Sequence, residues 1–178
     1  MRIPVLIAVS VALAAAQETR REITTATSPA DAKPNSDSVP DVYAIPTRFE
    51  RVIVLRFKYQ ANLLSGLEKM VKQNNIKNAV ILSGWGSVRN YEVHQVSNRT
   101  LPSKNVFVKD PTAPADIIGM SGFVLNGRLH PHITLANPAR AFGGHLEPAT
   151  EVFTFAVVTL GILPDDLALG KLDDKNYR

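Results

Sequence analysis

An Asn-Gly pair between two strand-like segments constrains the fold of this chain more than any other feature of its sequence. Asn126-Gly127 follows residues 117–125, which are rich in Ile, Val and Phe, and precedes the apolar residues 129–135. Both residues tolerate the positive φ angles of a two-residue type I′ turn, so the pattern predicts a β-hairpin. Strands joined by so short a turn must be antiparallel.

The preceding segments predict a strand, a helix and further strands. Residues 48–58 alternate between outward and inward side chains and favour a strand. Asn62 is a candidate helix cap, and Asn74-Asn75 a candidate helix end. Between them, apolar residues recur at helical spacing at Leu63, Leu64, Leu67, Met70 and Val71.

The remaining pattern favours a largely antiparallel sheet. Strands are predicted at residues 76–82, 91–96 and 151–163, with short strand character at 106–108 and a loop at 137–144. The Ser-Gly-Trp-Gly-Ser segment at 83–87 predicts a tight turn, whose backbone N–H groups could also bind an anion. Trp85 is expected in the core, with an exposed contact as the alternative. The fold class is therefore α+β, with a mainly antiparallel sheet and flanking helices.

The two ends of the chain differ in composition from its centre. Residues 1–16 combine a positive start, an uncharged apolar stretch and small residues at the end, which is typical of a secretory signal peptide. Residues 17–47 contain four prolines among polar residues and predict a disordered linker. The predicted domain spans 48–164, and 165–178 form a polar tail. We therefore expect an exported protein with no stable membrane span after leader cleavage.

Charge and cysteine content exclude several function classes. The net charge is +4 with the basic residues scattered, so no concentrated basic stripe for nucleic acid is evident. Cysteine is absent, which excludes disulfides, thiolate zinc sites and a cysteine nucleophile. No recognised nucleophile motif is present either, so any enzymatic reaction would have to use a metal-bound water.

Three of the four histidines fall close together and form the candidate site. His130 and His132 are two residues apart on a predicted strand, so their rings share one face with Cα atoms about 7 Å apart. His145 follows after a loop long enough to return to the pair. Three neutral imidazoles with an open fourth position hold zinc in several catalytic sites. The alternative is that these are unrelated, hydrogen-bonded surface histidines.

Two further residues stand near this cluster in the sequence or the predicted sheet. Glu147 is a candidate ligand, ring-orienting group or general base, and in isolation it could equally be a solvated carboxylate. His94 is interpreted as a surface or hydrogen-bonded histidine unless the fold brings it to the other three.

The His-Pro-His-Ile-Thr-Leu segment at 130–135, followed by Gly-Gly-His-Leu at 143–146, resembles the Plants and Prokaryotes Conserved (PPC) domain family. The resemblance covers about residues 49–163. It implies an antiparallel sheet with helices, assembly into homotrimers, and a metal site at His130, His132 and His145. Plant members are linked to DNA by a separate AT-hook, and Gly127-Arg128-Leu129 lacks the proline and second arginine of such an arm.

Three functions follow from these patterns. The first is a secreted, trimeric binding module that holds zinc or another divalent transition metal. The second is DNA binding, as the family resemblance suggests. The third is a metal-dependent hydrolase with Glu147 as the general base, so the sequence leaves open whether the protein is an enzyme.

Overall fold

The structure, a computed structural model, describes residues 17–23 and 37–173. This part of the chain contains one α-helix, α1, and a short 3-10 helix near its end. Its other regular elements are strands, in agreement with the predicted α+β class. The elements in chain order are β1 (Thr19–Ile23), β2 (Arg51–Lys58), α1 (Leu63–Gln73), β3 (Ala79–Val96), β4 (Asn105–Asp110), β5 (Ala115–Leu125), β6 (Arg128–Asn137), β7 (Arg140–Leu146), β8 (Glu151–Ile162) and the 3-10 helix Leu169–Asp173.

The strands form one antiparallel sheet that closes on itself. β5, β6 and β7 follow one another in space, and both β5 and β7 pair with the long strand β3. β8 and then β2 continue the sheet from the first half of β3, while β4 and then β1 continue it from the second half. This closure brings β6, β7 and β3 side by side.

β3 is a single bent strand where two strands and a turn were predicted. The Ser-Gly-Trp-Gly-Ser segment pairs with β8 through register shifts that mark β-bulges. Gly86 has φ +138, and a Cβ atom there would lie 2.3 Å from the carbonyl oxygen of Phe155. A bulge within the strand therefore requires glycine at this position. The prediction of a turn was wrong because the glycine-rich composition of residues 83–87 is also typical of turns.

The predicted hairpin at Asn126-Gly127 is confirmed, with positive φ angles of 52 and 79. The loop predicted at 137–144 is instead a tight turn and the strand β7. The Asn137 side chain accepts hydrogen bonds from the backbone N–H groups of Ala139 and Arg140 and closes that turn. A Cβ on Gly143 would lie 2.2 Å from the Ile133 carbonyl oxygen, so glycine permits close strand pairing here.

The helix begins and ends where the sequence predicts. The Asn62 side chain accepts a hydrogen bond of 3.0 Å from the Ser65 N–H at the N-terminus, and Asn74 caps the C-terminus. Leu63, Leu67 and Val71 are buried against the sheet. A buried leucine or valine contributes about 1.5–3 kcal/mol to stability, so this apolar stripe holds the helix on the domain.

The segment predicted as a linker contains a strand. β1 pairs with the edge of β4, where unpaired backbone groups are available to it. The Tyr91 hydroxyl donates a hydrogen bond of 3.0 Å to the Glu18 carboxylate, which also pairs with the Arg140 guanidinium. Residues that looked too polar to fold are therefore ordered by the sheet edge.

The predicted tail also contains ordered residues. The 3-10 helix Leu169–Asp173 buries Leu169 in a small cluster with Leu125 and Leu163. The predicted leader, residues 24–36 and residues 174–178 lie outside the described residues, and the leader stays a prediction. Among the helices that the structure describes, none has the length and apolarity needed to cross a membrane.

Candidate metal centre

The four histidines lie on the outer face of the closed sheet. Along β6, Pro131, Ile133 and Leu135 point into the core, so His130 and His132 point outward. His132 lies opposite His145 of β7, and His145 lies opposite His94 of β3. Three adjacent strands therefore present imidazole rings in one row across the sheet.

The three sequence-predicted ligand residues come together in space. The rings of His130 and His132 are nearly parallel, with centroids 5.3 Å apart and Nε2 atoms 3.3 Å apart. The His145 ring stands edge-on to both, at centroid distances of 5.0 Å from His130 and 5.7 Å from His132. The fold thus brings these three imidazoles side by side on one face, although their ring nitrogens do not all lie within 4.8 Å of one another.

His94 joins the same cluster. Its ring stacks on that of His145 at a centroid distance of 4.7 Å and contacts the Phe107 ring at 4.9 Å. It reaches the site because the end of β3 pairs with β7, residues about 50 positions later in the chain. No local sequence pattern predicts this pairing. His94 was expected to join the cluster only if the fold brought it to the other three histidines, and the fold does so.

Two carboxylates hold ring nitrogens of the cluster. Glu147 Oε1 lies 2.6 Å from His94 Nδ1 and 3.1 Å from His145 Nδ1. Asp173 Oδ2 lies 3.0 Å from His130 Nδ1 and accepts a hydrogen bond of 2.7 Å from the Arg128 guanidinium. Sequence reasoning missed Asp173, since the polar tail gave no sign that it folds back on β6.

These contacts determine which nitrogens are available to a ligand. In a neutral imidazole one nitrogen carries the proton and the other has a free electron pair. When the Nδ1–H group donates a hydrogen bond to a carboxylate, Nε2 keeps the free electron pair that can bind a metal ion. His130 and His145 are therefore set to present Nε2, and carboxylates often orient metal-bound histidines in this way.

Among the described residues, one group of three has ligand atoms that all lie close enough to surround a metal ion, and this group does not include His130 or His132. Ligand atoms of His94, His145 and Glu147 all lie within 4.8 Å of one another. However, the distances from Glu147 Oε1 to the two ring nitrogens are those of hydrogen bonds. Two nitrogens on a tetrahedral zinc, each bound at about 2.0–2.1 Å, lie about 3.3–3.4 Å apart. The 3.3 Å between Nε2 of His130 and Nε2 of His132 matches that spacing, and it is also the distance of a hydrogen bond between the two rings.

Burial favours the neutral, metal-binding form of two rings. Burial lowers the pKa of His132 from its ordinary value of 6.5, and the neighbouring imidazoles of His130, His145 and His94 lower this pKa further. Burial also lowers the pKa of His145, and the hydrogen bond to Glu147 partly opposes this. Near pH 7 both rings are therefore neutral.

The remaining candidate from the sequence, the Trp85 segment, lies away from the histidines. Trp85 is 51% exposed, so the prediction that it fills the core is wrong. Its ring packs edge-on against Phe155 at a centroid distance of 5.4 Å on the outer face of the sheet. Because the segment is part of a paired strand, it does not form the turn on which the anion-binding reading depended.

Fold and site together define an antiparallel α+β domain with a carboxylate-supported histidine cluster on its surface. The sequence profile of the Plants and Prokaryotes Conserved (PCC) domain, for which PPC is also used, matches residues 45–164. The chain belongs to this family, as the sequence resemblance predicted. No curated protein matches the chain.

Solved structures with the same fold come from archaea and bacteria. A metal-containing protein of Archaeoglobus fulgidus is 23% identical, with a TM-score of 0.53, and the match covers 68% of this chain and 86% of that one. A PPC protein of Pyrococcus horikoshii is 19% identical, with a TM-score of 0.55 and coverage of 69% and 85%. A Bacteroides thetaiotaomicron protein suggested to bind DNA is 17% identical, with a TM-score of 0.50 and coverage of 65% and 82%.

Proposed function

We propose that this protein is a metal-holding binding module whose site is formed by His130, His132 and His145. The observation that carries the proposal is the pair of Nε2 atoms 3.3 Å apart, with His145 edge-on beside them. The ion best suited to three imidazoles is zinc or another divalent transition metal. The metal-containing relative from Archaeoglobus fulgidus has the same fold and is consistent with this assignment.

The residues around the cluster fit such an ion. Asp173 and Glu147 each accept a hydrogen bond from an Nδ1–H group, which fixes His130 and His145 with Nε2 free. With three protein ligands, the ion would keep a position for water or an external ligand and would act there as a Lewis acid. Glu147 acts in this arrangement as an orienting residue.

Elemental analysis of purified wild-type, His132→Ala and His94→Ala proteins tests the proposal. We expect about one equivalent of zinc or another transition metal per wild-type chain, lost in His132→Ala. His94→Ala is the matched control, because it removes a ring of the same cluster that is not a proposed ligand. Absence of metal from the wild type at neutral pH, with unchanged melting in chelator, would contradict the proposal.

The hydrolase and DNA-binding alternatives have less support. Glu147 Oε1 already accepts from two imidazoles, which lowers its capacity as a general base. Several basic side chains, including Lys109, Arg128 and Arg140, are paired with carboxylates rather than gathered in an open stripe. DNA binding predicts an affinity that falls steeply with salt, and a gel shift at low salt tests it.

We propose that the protein is exported and forms a homotrimer. Export is supported by the signal-peptide pattern of residues 1–16. Assembly is supported by an apolar face on the outside of β2, β3 and β8. Val52, Val54 and Trp85 of this face are 54%, 66% and 51% exposed. Adjacent large exposed apolar residues of this kind mark interaction surfaces.

A further inference from the structure

We infer that the histidine site binds a small monocarboxylate whose apolar chain occupies a neighbouring pocket. This inference rests on the proposed function, because it requires the metal ion to receive the carboxylate. It depends on a separate observation, the chemistry of the cavity beside His130 and His132.

The pocket has a volume of about 330 Å³ and is built by three elements. Phe123 and Leu125 of β5 form one wall, and Leu172 of the 3-10 helix forms another. His130 and His132 line the same pocket, so a molecule that fills it lies directly against two of the proposed metal ligands. Its mixture of apolar walls and a few polar groups is typical of small-molecule sites, and its volume is at their lower limit.

The pocket depends on a fixed position of the 3-10 helix. Asp173 bridges His130 Nδ1 and the Arg128 guanidinium, which ties the end of this helix to β6. Leu169 anchors its other end in the cluster with Leu125 and Leu163. The wall that carries Leu172 is therefore held at both sides by contacts that do not involve the ligand.

Charge selects the head group of the ligand. A divalent ion on three neutral imidazoles is surrounded by the carboxylates of Glu147 and Asp173 and by the Arg128 guanidinium, which leaves about one net positive charge. Because Asp173 is already bonded to Arg128 and His130, it is not free to bind an external cation. A single anionic group is the complementary head, and carboxylate is a common oxygen donor to zinc.

The apolar walls select the rest of the ligand. Phe123 is 38% exposed and Leu172 is 44% exposed, so both have apolar surface that a ligand would cover. A short aliphatic chain fits within the pocket and can cover this apolar surface. Each added methylene that is buried strengthens binding by about fourfold. Affinity should therefore rise from acetate to hexanoate.

Calorimetric titration of the zinc-loaded full chain with hexanoate, acetate and hexylamine tests the inference. We expect hexanoate to bind at least about 10-fold more tightly than acetate, since four more methylenes are available for burial. Hexylamine should not bind, and removal of zinc should weaken hexanoate binding at least about 10-fold, because the carboxylate then loses its partner.

Two wall variants and a matched control locate the chain of the ligand. Phe123→Ala and Leu172→Ala should each weaken hexanoate binding by about 3- to 10-fold and leave both acetate binding and zinc content unchanged. Phe153→Ala is the control, because Phe153 is a similarly exposed phenylalanine, at 45%, that does not line this pocket. The Phe153→Ala variant should leave hexanoate binding, acetate binding and zinc content unchanged.

The outcomes separate this inference from the proposed function. A wild-type protein without zinc contradicts the proposed function itself. A zinc-loaded protein that binds hexanoate no better than acetate, or equally well in Phe123→Ala, overturns the inference alone.

Discussion

At the residue scale, two carboxylates organise the histidine cluster. Glu147 joins His94 to His145, and Asp173 joins His130 to Arg128. Each fixes the proton of a ring on Nδ1 and leaves Nε2 for an ion. Glu147 was a candidate from the sequence because it follows His145 closely, whereas Asp173 is 43 residues from its partner His130 and no spacing rule predicts that contact.

Glu147→Gln should weaken metal binding without abolishing it. The amide keeps the size of the side chain but loses the charge and one acceptor oxygen, so the His145 ring is oriented less firmly. We expect the metal dissociation constant to rise about 10- to 100-fold. Glu151→Gln is the control, because the Glu151 side chain forms an exposed ion pair of 4.0 Å with Arg89, away from the histidines. Equal affinity in both variants, measured by competition with a chelator, would refute this role.

The lowered pKa values predict how the metal-free protein responds to acid. His132 and His145 have folded-state pKa values below the ordinary 6.5, so the unfolded chain binds more protons than the folded one as pH falls. The contribution of these two neutral rings to the free energy of unfolding is fully present above about pH 6.5, and it is lost as pH falls through their folded-state pKa values. Urea unfolding of chelator-treated protein between pH 8 and 5 should show this loss. A stability that rises with acid over this range would be inconsistent with it.

At the scale of elements, glycine has two opposite meanings in this chain. Gly127 lies in a true turn, and the Asn-Gly pattern predicts it because few other sequences adopt two successive positive φ angles. Gly86 and Gly143 lie inside strands, where close backbone approach excludes a side chain. Composition alone cannot distinguish these cases, which explains why the middle of β3 was predicted as a turn and most of β7 as a loop.

Gly86→Ala should destabilise the fold strongly, since it adds a Cβ both at a positive φ and against the Phe155 carbonyl. We expect a loss of about 2–4 kcal/mol in the free energy of unfolding. Gly119→Ala is the matched control, because a Cβ at Gly119 meets no atom within 4 Å. Similar denaturation midpoints for the two variants would show that the bulge does not require glycine.

Removal of residues 17–23 should open the edge of β4. β1 pairs with residues 105–109 of β4, and Glu18 bonds to Tyr91 and Arg140 of neighbouring strands. We expect faster hydrogen exchange at those β4 amides whose partners lie in β1, with β5 and β6 unaffected. Unchanged exchange in β4 would mean that the strand contributes nothing to the sheet in solution.

At the scale of the whole molecule, closure of the sheet creates the site. The H-x-H pair and His145 could be predicted as neighbours because β6 and β7 are consecutive strands with known side-chain alternation. The fourth ring and the pocket depend on the β3–β7 pairing and the returning 3-10 helix, which are long-range contacts. Local sequence patterns carry no signal for contacts of that kind.

The proposed trimer predicts a molar mass three times that of one chain in light scattering. Val54→Asp places a charge in the apolar face of β2 and should lower that mass, because burying an unpaired charge costs several kcal/mol. Val96→Asp is the matched control, since Val96 and Val54 are equally exposed at 66% but Val96 lies at the far end of β3. A wild-type monomer, or no difference between the variants, would contradict assembly through this face.

Zinc-edge X-ray absorption of the metal-loaded protein tests the central claim most directly. The account predicts about three imidazole nitrogens at about 2.0–2.1 Å and one further light atom from water or a bound ligand. The His94→Ala protein should give the same spectrum, because His94 is not among the proposed ligands. A shell made mainly of oxygen, or one that loses an imidazole in His94→Ala, would contradict the assignment of His130, His132 and His145.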